Sequence, residues 1–165
     1  LWALGVVAEI GLFAVSGSIL ARWGAPRMLM AAGAAAALRW GLMAFDPPLF
    51  ATAMLQCLHA MSFGAAHLAA ISFLSQAVPE NHGATAQGVY AAVVAGLVLG
   101  LATITCGPIY QSLAGEAYGV MAVLALIGAA SAVLLMRRWR GERVVGPTQV
   151  QPQSAAGAGV TVPEV

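Results

Sequence analysis

The sequence predicts an all-α transmembrane helical bundle, and three observations carry that prediction. Of 165 residues, 61% are hydrophobic and only 8% are charged, with a mean hydropathy of +0.87. A soluble domain carries about 25% charged residues, so this chain lacks the charge to build a water-facing surface. Apolar runs long enough for a helix to cross a hydrocarbon core of ~30 Å, which takes ~20 residues, recur along the chain. Between them stand short polar or proline-containing breaks.

The first run spans 1–21 and is interrupted by Glu9; the basic turn Arg22-Trp23-Gly24-Ala25-Pro26-Arg27 ends it. The second spans 28–45 and holds Arg39. Asp46-Pro47-Pro48 closes it, because a proline pair cannot continue a helix. The third, 49–78, is long for one span, which implies a tilt or an early exit before Pro79. The polar segment Pro79–Gly83 leads to the fourth run, 84–109, which is expected to end near Gly107-Pro108. A loop over Gln111–Glu116 follows, then the fifth run, 118–136. The segment 141–165 is rich in Pro, Gln, Gly, Ala and Ser and is expected to be a disordered cytoplasmic tail. Leu1 already lies inside an apolar run, so the chain reads as N-terminally truncated.

Orientation follows from the arginines. Seven arginines, six acids and no lysine leave a net charge of +1, which excludes a basic nucleic-acid-binding surface. With five spans, Arg22, Arg27, Arg137, Arg138, Arg140 and Arg143 share one side, whereas the other side has Asp46 and Glu116 and no basic residue. The positive-inside rule makes the arginine side, and the C-terminus, cytoplasmic. Trp23 and Trp139 fall at the same interface, where an amphipathic ring is favoured.

Three ionisable residues lie inside the apolar runs. An ionisable group in hydrocarbon costs on the order of 2.5–3.5 kcal/mol, so such residues are expected to face one another or a water-filled cavity. At ~1.5 Å per residue, Glu9 lies roughly 19 Å and Arg39 roughly 18 Å from the cytoplasmic face, and His59 roughly 16 Å from the outer face. All three come near mid-depth. This set fits a substrate and proton site: Arg39 can hold an anion or keep Glu9 ionised, and His59 can change charge near neutral pH. Gln56, His59, Phe63 and His67 follow helical spacing and form one stripe facing that cavity. Ser62 and Ser72 lie off its centre and are expected to bond to their own backbone.

Gly88, Ala92, Gly96 and Gly100 recur every four residues, the pattern of close helix packing. Cys57 and Cys106 suggest neither a disulfide framework nor a zinc site. The sequence carries no GxGxxG after a strand, P-loop or HExxH pattern; no enzyme, metal or cofactor is expected.

The basic turn also carries a resemblance. Gly17, Arg22, Gly24 and Arg27 match the cytoplasmic signature loop of the major facilitator superfamily, with Ala21 where that loop has Asp. Residues 1–10, 37–45, 56–70 and 84–110 resemble its phenylpropionate-permease branch, related to lactose-permease-like proteins and nucleoside proton symporters. The resemblance implies that the chain covers helices eight to twelve of a twelve-helix carrier. In lactose-permease-like proteins an acid on helix eight, an Arg on helix nine and a His on helix ten serve sugar binding and proton coupling. Glu9, Arg39 and His59 match those types, whereas Ser62 stands where the family has a Glu.

The expected function is secondary transport in a bacterial inner membrane, proton-coupled and carrying an aromatic acid or a sugar- or nucleoside-like solute. The expected partners are the lipid bilayer, the substrate, protons and the N-terminal half of the same carrier. The alternative is a non-transporting sensor or assembly subunit in which Glu9 and Arg39 form a purely structural pair.

Overall fold

The computed structural model describes residues 1–143, so the tail expected over 141–165 lies almost wholly outside the described residues. The described residues contain helices and turns but no strand. Five rods follow in order. Two are single helices, α1 (Trp2–Trp23) and α2 (Ala25–Met43). The third joins α3 (Leu49–His59) to α4 (Ala66–Ala77) through a π-helical segment, Ala60–Ala65. The fourth joins α5 (Gly83–Ala91) to α6 (Leu99–Leu113) through a second π-helical segment, Ala92–Val98. The fifth is α7 (Ala117–Arg138).

Among the described residues, three helical stretches are long and apolar enough to cross a membrane: Trp2–Trp23, Leu49–Ala77 and Glu80–Arg138. The last is broken at Ala114, whose φ of 47° and ψ of −126° cannot continue a helix. Exposed large apolar side chains, among them Trp2, Ile10, Leu97, Ile104 and Leu126, cover the outside. The molecule is a multi-pass membrane protein with an all-α bundle.

Several boundaries differ from those read in the sequence. The basic turn contracts to Gly24 alone, since α1 runs to Trp23 and α2 starts at Ala25. Gly24 has φ +75° and ψ 161°, a conformation essentially reserved for glycine. Its N–H donates to the Leu20 carbonyl at 2.9 Å, and Pro26 follows in the first turn of α2, where no N–H is needed. Gly24→Ala is expected to cost roughly 1–2 kcal/mol, read as an earlier midpoint when helicity of the full-length protein is followed in an SDS titration. An unchanged midpoint would mean that the turn readily adopts another conformation. Pro108 does not end the fourth rod but lies inside α6. A proline is tolerated in membrane helices where the freed carbonyl finds another partner. Gln111–Leu113 are therefore helix, and the turn is only Ala114–Glu116.

The core lies where α2 meets the third rod. Met28 and Ala32 of α2 and Ala65 and Ala69 of the third rod are essentially sealed, with Leu12, Ile19 and Met61 packed around them. Small residues let backbones approach, and α2 carries a run of them, Ala31–Ala37. On its other side Gly33 abuts α7 so tightly that a Cβ there would lie 2.9 Å from Ala129 backbone atoms. The stripe expected to pack is a different one. A Cβ at Gly88, Gly96 or Gly100 would meet nothing within 4 Å, and α5, Ala92–Val98 and α6 contain no buried residue. Among the described residues, Gly88, Gly96 and Gly100 therefore face no neighbouring helix closely, because the fourth rod stands apart from α2, where the tight packing occurs.

Candidate functional site

The site grows from Arg39, near the C-terminal end of α2. Its side chain is only 7% exposed, because α2 lies between α7 and the third rod. The guanidinium reaches the third rod. Nη2 donates to Gln56 Oε1 at 3.1 Å; Nη1 lies 3.4 Å from His59 Nδ1 and donates to Ser62 Oγ at 3.5 Å. Its carbon sits 4.5 Å from the centre of the Trp40 ring, a cation–π arrangement, and Trp40 in turn stacks on Tyr118 of α7 with ring centres 5.6 Å apart. Nε is buried with no hydrogen-bond partner.

Every partner of Arg39 is thus neutral. Glu9 does not pair with it: among the described residues the two form no ion pair within 4.0 Å. Glu9 packs on Gly64 instead, where a Cβ would come 3.0 Å from its Cγ and 3.3 Å from its Oε1. The reason is geometric. The start of α1 lies against the third rod, so Gly5 touches His59 and Glu9 falls about one turn further along, while Arg39 approaches the same rod from α2. A structural Glu9–Arg39 pair is therefore not what positions these helices. A buried charge whose contacts are all neutral is not compensated by them.

The π-helical segment alters the stripe read from the sequence. Its wider turn rotates the residues after His59 relative to an α-helix. Gln56 and His59 meet Arg39, and Ser62 joins them, although it also donates to its own backbone at the His59 carbonyl, 3.4 Å. Phe63 stacks flat on the His59 imidazole, 5.2 Å between centres at 6°, and is 56% exposed. His67 is not in the cluster; its ring lies 6.2 Å from Tyr90 of α5. Trp40 and Tyr118 were not expected at the site; Ser62, at the position where the family has a Glu, was expected to bond only to its own backbone. Ser62 follows His59 at i+3, a spacing that places the two side by side on a helix.

Two clefts flank the cluster, both bordered by Leu99 and Ala102 of α6. One, of about 700 Å³, lies between the third and fourth rods and is lined by Ser62, Phe63, His67, Gln87 and Tyr90. The other, of about 590 Å³, is lined by Trp40, Cys106, Tyr110, Tyr118 and Met121. Arg39 thus has one neighbour, Ser62, in the first cleft and another, Trp40, in the second. Both clefts are mainly apolar with a few polar tips, the character of small-molecule sites. Arg22 and Arg27 stay exposed at the turn around Gly24, and Gly17 meets no neighbouring element. These signature-loop residues belong to the turn and not to the Arg39 cluster. No grouping of His, Cys, Asp and Glu among the described residues could hold a metal ion.

Residues 1–120 match the family model described as the MFS_1 like family. The chain is 36% identical over 126 residues to the "Probable 3-phenylpropionic acid transporter" of Escherichia coli (strain K12), covering 76% of this chain and 33% of that protein. It is 29% identical over 123 residues to the "Maltose permease" of Geobacillus stearothermophilus, covering 74% of this chain and 31% of that protein. The chain spans about a third of the length of the curated relatives it matches. No solved structure matches it significantly.

Proposed function

The chain belongs to the MFS_1 like family, and on that premise we propose that it forms part of a secondary transporter that moves a small aromatic acid together with protons by alternating access. The observation that carries this reading is Arg39: a cation 7% exposed, with neutral hydrogen-bond partners and an unsatisfied Nε. A carboxylate supplies the missing charge, which an uncharged sugar does not. The name of the Escherichia coli relative supports the aromatic acid over the sugar- or nucleoside-like solute, and the aromatic and apolar walls of the two clefts suit a ring. Glu9 and His59 are the titratable groups available for coupling.

The protein acts as a carrier and not as an enzyme. It sits in the bacterial inner membrane with the arginine-rich ends and the C-terminus in the cytoplasm. Its working partners are lipid, substrate, protons and an N-terminal half that supplies the other wall of the cavity. Such a carrier rocks one half against the other around a site near the midplane.

The test is uptake by the full-length protein in proteoliposomes under an imposed pH gradient, acid outside. Labelled 3-phenylpropionate is expected to accumulate, and a protonophore is expected to reduce accumulation to equilibration. Maltose is expected to stay outside. Accumulation that survives the protonophore would remove proton coupling, and uptake of maltose without the acid would remove the substrate class.

A further inference from the structure

Which of the two clefts takes the ring of the acid follows from what surrounds Arg39. On the side of the second cleft the guanidinium meets Trp40. That indole is packed against the guanidinium carbon at 4.5 Å and stacked on Tyr118 with ring centres 5.6 Å apart. A ring arriving from there has to break one of these contacts. On the side of the first cleft the guanidinium meets Ser62, which accepts from Nη1 at 3.5 Å. A hydrogen bond that long is weak, and a carboxylate oxygen in place of Ser62 Oγ makes a shorter, charge-assisted one. Phe63 lines the same cleft and is 56% exposed. One of its faces lies on the His59 ring, which leaves the other to stack an aromatic ligand.

Away from Arg39 this cleft becomes polar again. Gln87 and Tyr90 of α5 and His67 of α4 line it there, with the His67 and Tyr90 rings 6.2 Å apart and tilted by 40°. His67 follows Ser62 by five residues, roughly 7 Å along the rod. Between the two polar ends the walls are apolar, with Ala66 on one side and Ala91 and Val94 on the other. A propionate chain, a ring and a para hydroxyl span a comparable length, with a polar group at each end. Resting on the transport reading above, we propose that the cleft between the third and fourth rods seats the substrate ring on Phe63, and that Gln87, His67 and Tyr90 form a second polar subsite for a hydroxyl at the para position. The preferred substrate class is then a phenolic arylpropionate. A phenol both donates and accepts. It gives its hydrogen to the Gln87 carbonyl or a His67 ring nitrogen, and accepts one from the Gln87 amide or the Tyr90 hydroxyl. An unsubstituted ring offers these three side chains no partner.

The test measures binding by calorimetry on the purified full-length protein in nanodiscs, with 3-phenylpropionate and its para- and ortho-hydroxylated forms as probes. The para-hydroxylated acid is expected to bind roughly 3–10-fold more tightly than 3-phenylpropionate, the contribution of one or two ordinary hydrogen bonds. The ortho form, whose hydroxyl stays at the Arg39 end, is expected to gain nothing. Gln87→Leu combined with His67→Leu is expected to erase the para preference while leaving 3-phenylpropionate within about twofold of wild type. Phe63→Ala is expected to weaken all three acids alike, by roughly 3–10-fold. The wild type supplies a check that needs no substitution. Cys106 lines the second cleft, so a thiol reagent, followed on the Cys106 peptide by mass spectrometry, is expected to react equally fast with and without saturating para-hydroxylated acid. If the double variant does not fold, the para preference and Cys106 of the wild type still decide. Equal affinities for the para-hydroxylated and unsubstituted acids, an equal gain for the ortho form, a preference that survives the double variant, protection of Cys106, or no binding of any of the acids each overturns the assignment. The transport reading fails separately: preferential binding in nanodiscs without accumulation in liposomes sinks transport and leaves the subsite standing. Driven accumulation of 3-phenylpropionate with no preference for the para-hydroxylated acid does the reverse.

Discussion

Arg39→Leu is expected to lower 3-phenylpropionate uptake by about 100-fold or more while leaving the folded protein at least as stable as the wild type. Each hydrogen bond to a charged group contributes about 1.5–3 kcal/mol. Losing two of them from a bound carboxylate amounts to about 3 kcal/mol or more, and each 1.4 kcal/mol is about tenfold. The stability side runs the other way. Arg39 is buried among neutral groups with Nε unsatisfied, and an apolar side chain removes that desolvated charge from a membrane interior where it costs on the order of 2.5–3.5 kcal/mol. Arg39→Lys is not expected to restore uptake. An ammonium keeps the charge but loses the planar fork that spans Gln56, His59 and Ser62 at once. Uptake kinetics in proteoliposomes, paired with SDS titration of helicity, check both halves. A variant that transports within a few-fold of wild type would remove Arg39 from the substrate site; one that unfolds would make Arg39 a structural residue.

Gly33→Leu is expected to have the largest effect on folding. At Gly33 a Cβ would already lie 2.9 Å from Cα, Cβ and N of Ala129. Those atoms are backbone or bonded directly to it, so no rotamer change relieves the clash, and α2 and α7 must separate. Overpacking of this kind costs about 3 kcal/mol or more. The separation also withdraws Trp40 from Tyr118, now stacked at 5.6 Å, so uptake is expected to fall with stability. Gly88→Leu is the matched control, because a Cβ there meets nothing within 4 Å. Comparable losses at both positions would mean that α5 is tightly packed in the full-length protein, whereas no loss at Gly33 would mean that the α2–α7 contact is looser than described.

The contrast between these two glycines shows where sequence reading stopped. Spacing flagged Gly88, Ala92, Gly96 and Gly100, since small residues every four positions align on one face. The alanine run around Gly33 has small residues on every face, so it shows no periodicity to choose a partner. Which small surface is used depends on which helix lies opposite. The same holds at the site. Residue type and depth were legible: an arginine, an acid and a histidine inside apolar runs stand out because hydrocarbon makes them costly. Their pairing was not. Glu9 and Arg39 look matched by charge and depth, yet α1 and α2 present them to different parts of the third rod.

By itself the sequence determined that the chain is a membrane bundle, that Arg39, Glu9 and His59 are its unusual residues, and which family it resembles. These follow from composition, run length and residue identity, which need no partner. The tertiary structure decided that Arg39 is held by Gln56, His59 and Ser62, that Glu9 is not its counter-ion, and that Gly33 is where two backbones meet. Those depend on a π-helical turn and on helix crossings. A one-residue change in turn size, or a small shift between helices, redirects side chains without changing any local pattern in the sequence.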